Sequence, residues 1–360
     1  MSPVMVDEVC VVVPAGIDDA GTPSGGNRYD RRLCEALAAS GRPVRELAAP
    51  GGWPRPDGRA RAGLARMLGS LPDGAVVLLD GLVACGVPEI VVPEAARLRV
   101  AVLVHLPLAD EPGQDDLNAG ERKVLEAAGA VVATSPWARD HLLAHHGLEP
   151  PRVHAVPPGT DPAPLATGTD GATGLLCVAS VTPRKGHDVL VEALAELAHL
   201  PWRCECAGPL ERDPSHVTRL RRQIARHRLD DRVVLAGPLT GKRLDDAYAA
   251  ADLVVLASRA ETYGMVVSEA LARGIPVLAA SADAVPDTLG FDATGAVPGL
   301  LVPPDDPAAL AAALRRWLVE PAARTRLRES ARLRRTALTG WDDTARRMST
   351  VLSRLRRETR

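Results

Sequence analysis

Two glutamates eight positions apart, Glu261 and Glu269, occupy the stretch SRAETYGMVVSEALARGIPVLAAS, which begins at Ser258. Glu269 lies between MVVS and ALA, where Ser268 alone is polar. Burying an ionised carboxylate without a partner costs several kcal/mol. Either it snorkels to water or an arginine reaches it, or a pair of ligand hydroxyls does. Gly264, between the two glutamates, opens a helix and lets free backbone N–H groups approach an anion closely. Two further places carry residues suited to chemistry. Gly25 and Gly26 in PSGGNRYDRR open a helix after the first strand, as an ordinary loop or as a close backbone approach to a ligand. His105 ends the strand RVAVLVHLP, as a structural residue or as a hydrogen-bonding group at a ligand face. His141, His145 and His146 read as surface positions of a polar helix.

The flanking elements place the glutamates. ADLVVLAS and IPVLAA read as strands, and YGMVVSEALARG between them as the crossover helix, ended by Gly274 before Pro276. Glu261 then lies in the strand-to-helix loop, and Glu269 about 7.5 Å along the helix from Gly264 at 1.5 Å per residue. Both carboxylates are expected at the carboxyl ends of the strands, where open α/β sheets bind ligands.

The same alternation runs through most of the chain. VCVVVPA, AVVLLD, RVAVLVHLP, AVVATS and RVHAVP are continuously apolar, as parallel strands covered on both faces are. Helical segments such as NRYDRRLCEALAASG separate them. The pattern breaks at PPGTDPAPLATGTDGATG, residues 157–174, which reads as a linker. LLCVASV, RCECAG, RVVLAG, LVVLAS and IPVLAA then form a second strand series, with VLVEALAEL, VTRLRRQIARHR and RLDDAYAAA on helices between them. The chain ends in TGWDDTARRMSTVLSRLRRETR, where Trp341, Ala345, Met348 and Leu352 fall at helical spacing. This predicts two doubly wound α/β domains, 1–160 and 161–340, with a terminal helix over 341–360 that returns to complete the first.

Composition excludes other classes. A length of 360 residues suits two domains, and a net charge of −2 gives no field for nucleic acid. Aromatics at 2% provide no stacking platform for single strands. The six cysteines fall mostly in apolar runs, where Cys acts as a small hydrophobe, and CEC at Cys204–Cys206 lacks a partner pair at zinc spacing. The start carries no basic segment, and no apolar run reaches about eighteen residues. A reduced, cytoplasmic protein is expected. Arginines from Arg55 in RPDGRARAGLARM read as a solvated helix face, or as a contact to an acidic acceptor or a weak peripheral contact to a membrane surface.

These residues resemble a known family. ETYGMVVSEALARGIPVLA is similar to the E-x7-E motif of the family 4 retaining glycosyltransferases, whose GT-B fold sets two doubly wound Rossmann-like domains facing across a cleft. PSGGNRYDRRLCEAL resembles that family's amino-terminal glycine loop, VLVHLP the strand ending in its active-site His, and CVASVTPRKGHDVLVEAL its phosphate-binding loop and helix. VATSPWARDHLLAHHGLEPPRVHAVPPGTD resembles the segment leading to its hinge.

The resemblance implies a transfer of sugar from a UDP- or GDP-linked donor to an acceptor hydroxyl, with retention at the anomeric carbon. Glu269 would hold the ribose hydroxyls and Glu261 the sugar. Gly264, Met265 and Val266 would offer N–H groups to the donor, and Gly25 and Gly26 would approach donor or acceptor. His105 would hydrogen-bond the sugar or the acceptor. Lys185 would neutralise the diphosphate leaving group. Ser180 stands where the family has an arginine, and Arg184 is expected to replace it. Asp287 stands where the family has a glutamate. No Asp-x-Asp occurs, which fits chemistry without a metal or cofactor. The amino-terminal domain would bind the acceptor and the carboxy-terminal domain the nucleotide sugar. The alternatives are a sugar-nucleotide epimerase of the same fold and a non-catalytic nucleotide-sugar binder.

Overall fold

The computed structural model of the chain describes residues 8–110 and 115–357. The amino-terminal residues read above as lacking a basic segment, and the last three positions of the expected terminal helix, lie outside them. By contact the chain divides into two units. Unit 1 comprises residues 1–18, 25–159 and 340–360, and unit 2 comprises 19–24 and 160–339.

Unit 1 runs β1 (Val9–Pro14), α1 (Gly25–Ala39), β2 (Val44–Ala49), α2 (Gly58–Gly69), β3 (Val76–Asp80), α3 (Gly81–Ala84), α4 (Pro88–Glu94), β4 (Arg99–Val104), α5 (Asn118–Ala127), β5 (Ala130–Ala133), α6 (Pro136–His146) and β6 (Val153–Ala155). Unit 2 runs β7 (Gly174–Val178), α7 (His187–Glu196), β8 (Arg203–Ala207), α8 (Pro214–Arg226), β9 (Val233–Gly237), α9 (Gly241–Ala250), β10 (Leu253–Leu256), α10 (Met265–Ala272), β11 (Val277–Ala280), α11 (Val285–Leu289), β12 (Gly299–Val302), α12 (Pro307–Val319) and α13 (Pro321–Arg334). The chain then returns to unit 1 as α14 (Trp341–Arg357).

Each unit is built on a parallel six-stranded sheet, ordered β2-β1-β3-β4-β5-β6 in the first and β12-β11-β10-β7-β8-β9 in the second. Strand alternation sends neighbouring residues to opposite faces. In unit 2, Leu175, Cys177, Leu253 and Val255 join one core with α7, α8 and α12. Leu176, Val254 and Leu256 join another with α9, α10 and α11. Both faces are therefore covered by helices, which is why the strands read as unbroken apolar runs.

β2 and β12 were not among the expected strands. Both are sheet edges, and their residues include exposed and half-buried positions such as Glu46 and Leu301. The segment read as a linker is also corrected. Beyond Gly159 it is fastened to unit 2: Asp252 accepts from the Thr169 amide, the Thr169 hydroxyl and the Gly174 amide, and Ala166 N bonds Arg273 O. Gly and Pro mark its irregular backbone, while the acceptor that orders it lies about eighty residues away.

α14 packs on α1, β3 and β4. Its stripe of Trp341, Ala345, Met348 and Leu352 is buried, as the spacing predicts. Among the described residues no helix is long and apolar enough to cross a membrane. All six cysteines are free and buried. Arg55 pairs with Asp116 and Arg61 with Glu89, which neutralises part of the basic run around α2.

Candidate active site

In an open sheet, ligands bind where the strand order reverses, outside the carboxyl ends. In unit 2 that point lies between β7 and β10: the chain runs outward from β7 through β8 and β9, then returns to β7's other side with β10. The loops after these two strands carry Arg184, Lys185 and Glu261.

The two loops are tied together. Lys185 Nζ donates to Glu261 Oε1 at 2.5 Å, and Ser258 Oγ donates to the same oxygen at 2.7 Å. Arg259 N bonds Arg184 O, while the Arg259 guanidinium grips both oxygens of Asp188 at 3.0 and 2.8 Å. Arg184 Nη1 donates to Ala260 O at 3.0 Å. It is half-buried, neither spread on the surface nor detached from its own loop. Lys185 closes the one-turn helix Pro183–Lys185, which precedes α7.

Glu261 is buried. Burial raises its pKa, but the Lys185 and Arg184 charges, with hydrogen bonds from Lys185 and Ser258, outweigh that and hold it below the ordinary value. It stays an anion at neutral pH. Its amide donates to Asp283 Oδ2 at 2.8 Å. Asp283 has φ +49°, a left-handed backbone that Asp tolerates.

α10 begins beside this pair. Gly264 caps it at φ +81°, which favours glycine, and the helix carries no side-chain cap. The first amides of a helix lack intrahelical partners and sit at its positive end. Here they belong to the half-buried Met265 and Val266. Glu269 follows within α10 and is buried. A partner the apolar flanks did not show is Tyr248 on α9, which donates its hydroxyl to Glu269 Oε2 at 2.7 Å. Flanks reveal only neighbours along the chain, and this partner comes from the preceding helix. Asp287, on α11, is exposed.

In unit 1 the reversal lies between β1 and β3. Gly25 and Gly26 open α1, and a Cβ on Gly26 would come within 3.2 Å of the His105 ring. The glycine thus admits the imidazole, a reason the sequence did not show. His105 does not simply face outward: Nε2 lies 2.8 Å from Asp30 Oδ1 and 3.8 Å from Asp80 Oδ2. Tyr29 packs edge-on against its ring. Among the described residues, Asp30, Asp80 and His105 form the one group of three able to hold a metal ion, with ligand atoms within 4.8 Å of one another. Of the histidines read as surface, His146 is buried instead, 3.5 Å from the buried Glu121.

Two family models match: "Glycosyltransferase Family 4" over residues 23–164 and "Glycosyl transferases group 1" over residues 169–334. The chain belongs to this glycosyltransferase family. It is 36% identical over 273 residues to a D-inositol 3-phosphate glycosyltransferase of Kineococcus radiotolerans, covering 69% of this chain and 62% of that one. A namesake from Catenulispora acidiphila is 34% identical over 266 residues, with coverage of 67% and 62%. The chain spans less than two thirds of the length of these curated relatives. Sucrose-phosphate synthase from Thermosynechococcus elongatus superposes with TM-score 0.77 at 22% identity, over 97% of this chain and 99% of that one. The Anabaena protein HepE, solved with UDP-glucose, gives 0.74 at 17%, over 96% and 99%. The fold is that of the GT-B glycosyltransferases.

Sequence reasoning missed Asp30, Asp80, Tyr248, Ser258 and Asp283. Asp80 carried the clearest signal, as an acid closing the apolar run AVVLLD.

Proposed function

We propose that the protein moves a sugar from a nucleoside-diphosphate sugar to an acceptor hydroxyl, with retention at the anomeric carbon. The observation that carries this is the gathering, at the switch point of the second sheet, of the α10 amino terminus, two cations and an anionic Glu261. A positive helix end beside Arg184 and Lys185 suits a diphosphate. A carboxylate held ionised beside it suits sugar hydroxyls. Unit 2 is the donor-binding domain in this reading, and unit 1 the acceptor-binding domain.

The diphosphate binds the amides of Gly264, Met265 and Val266 and the cations of Arg184 and Lys185. Lys185 has three N–H donors, so it can serve Glu261 and a phosphate oxygen together. Glu269, already oriented by Tyr248, accepts the ribose hydroxyls. The bond from the anomeric carbon to the diphosphate oxygen breaks, and the acceptor oxygen bonds that carbon on the same face. The acceptor proton passes to the departing diphosphate. Charge grows on the leaving group, so its cations act mainly on rate. No step requires a metal or cofactor. HepE's bound UDP-glucose supports a nucleotide-sugar donor, and the relatives' names make D-inositol 3-phosphate the first acceptor to try.

The test is incubation with UDP- and GDP-sugars and a panel of hydroxyl acceptors, scored for nucleoside diphosphate and glycoside in equal amounts. Inverted product, or an epimerised donor formed without acceptor, refutes the reading.

A further inference from the structure

Unit 1 holds two buried carboxyls that the chemistry above does not use. Asp30, on α1, and Asp80, at the end of β3, are 2% and 4% exposed, a costly placement for ionised groups. They meet at His105, which follows β4. The cation acting on Asp30 is Arg31, whose guanidinium is engaged by Asp18 and Glu46. The neighbouring thiols of Cys34 and Cys85 are pushed upward, chiefly by burial, and stay neutral.

Three polar groups packed this closely need protons between them. Two ionised carboxylates side by side in the interior would repel. A proton on Asp80 removes the repulsion and gives Asp30 a donor. Asp30 Oδ2 is buried and has no hydrogen-bond partner among the described residues. Asp80 Oδ1 is occupied by the Leu82 amide at 2.5 Å, which leaves Oδ2 to carry the proton. Asp30 then accepts from Asp80 on one side and from His105 Nε2 on the other, and keeps the single negative charge. The titration directions agree. Burial, strengthened by Asp30, raises Asp80 well above the carboxylate range, and burial pushes Asp30 up to about 7 against the opposing Asp80 hydrogen bond. Burial also lowers His105.

We infer that Asp30 and Asp80 share one proton and thereby hold His105 as the neutral imidazole with its hydrogen on Nε2, acting as positioning residues for the ligand face of unit 1. Gly26 completes the arrangement by letting the ring lie against α1. A metal would demand the opposite protonation: both acids ionised and Nε2 bare. The inference rests on the transferase reading only in its kinetic arm.

Infrared spectra of the metal-free protein at pH 8, above the value of about 7 for Asp30, should contain the C=O stretch of a buried carboxylic acid, and Asp80→Asn should remove it. Nitrogen-15 spectra should show His105 neutral with hydrogen on Nε2, and Asp30→Asn should populate the Nδ1–H form. In the transfer assay, Asp80→Asn should recover most of the kcat that Asp80→Ala loses, because an amide N–H donates to Asp30 as the acid does. Asp30→Asn should stay down by about ten-fold or more in kcat, with the donor KM unchanged. If Asp30→Asn does not fold, the parent and Asp80→Asn spectra carry the test. A parent without a protonated carboxyl, or a His105 spectrum untouched by Asp30→Asn, overturns the inference whatever the assay shows. So does stoichiometric Zn²⁺ or Mn²⁺ binding that shifts the His105 signals and is lost in Asp30→Asn. If no donor turns over, the transferase reading falls and the spectra still decide the proton.

Discussion

Lys185 Nζ and Glu261 Oε1 lie 2.5 Å apart and join the loop after β7 to the loop after β10. Their side chains are 17% and 8% exposed. Removing one partner strands the other charge away from water, which costs about 3 kcal/mol or more when burial is complete. Lys185→Ala should therefore lower unfolding free energy by up to about 3 kcal/mol, reduced by the water Lys185 still meets. The double variant Lys185→Ala/Glu261→Gln should lose less than the sum of the singles, read from urea midpoints. The pH dependence follows from the lowered folded pKa of Glu261. This stabilisation is fully present above the unfolded glutamate value near 4.5, and it fades as pH falls through the folded value. Glu261→Gln should remove that acid-side loss; an identical acid slope in parent and variant would refute the pairing.

Interior strands and the E-x7-E helix were legible in the sequence because both faces of each sheet are covered, which leaves long apolar runs between glycines. β2 and β12 were not, since Arg45 and Glu46 interrupt the apolar run of the first and the second is only four residues long, whereas the other two edges, β6 and β9, kept readable runs. Asp30 was hidden for another reason. NRYDRRL reads as a solvated charged helix, and nothing local says that α1 turns this acid inward to His105. Partners distant in sequence, Tyr248 for Glu269 and Asp252 for Thr169, are set by tertiary packing and leave no local trace.

Glu269 and Tyr248 should separate in ligand binding. Glu269→Ala removes the proposed ribose acceptor, a charged hydrogen-bonding group whose loss costs about 1.5–3 kcal/mol. Donor affinity by calorimetry should fall by that much, with little change in kcat. Tyr248→Phe removes only the hydroxyl that orients the carboxylate, and should cost about 1 kcal/mol in stability or affinity. Parent-like donor affinity in Glu269→Ala would remove the ribose assignment.

Arg184 distinguishes a phosphate ligand from a loop brace. Its Nη1 holds Ala260 O, and its charge helps keep Glu261 ionised. A planar guanidinium fork suits a phosphate oxygen, and in the proposed reaction it replaces the arginine that Ser180 cannot supply. Lys185→Ala and Arg184→Ala should each lower kcat/KM by roughly 2–4 kcal/mol, as loss of one transition-state donor does. A normal rate for Arg184→Ala beside a crippled Lys185→Ala would show that the lysine alone serves the phosphates.

The chain leaves unit 1 after Gly159 and re-enters it at Gly340, and these two backbones cross closely. A Cβ on Gly159 would stand 2.3 Å from Trp341 N and 2.5 Å from Gly340 C and Trp341 Cα. These are main-chain atoms, so no rotamer change relieves the overlap. The crossing cannot simply open, because Trp341 is packed edge-on to Tyr29 and under Arg32, and Thr344 donates to Pro157 O at 2.9 Å. Tyr29 in turn donates to Val156 O at 2.8 Å. Gly159→Ala must therefore displace the start of α14, and overpacking of this kind costs about 1–3 kcal/mol or more. Leu352→Ala, further along the same helix, only opens a cavity and should cost about 2–5 kcal/mol while leaving the crossing intact. The two are told apart by hydrogen exchange. Gly159→Ala should expose the first-turn amides of α14 and the Thr344 region, whereas Leu352→Ala should loosen the middle and end of the helix. Equal protection at the α14 amino terminus in Gly159→Ala and parent would show that the crossing does not require glycine.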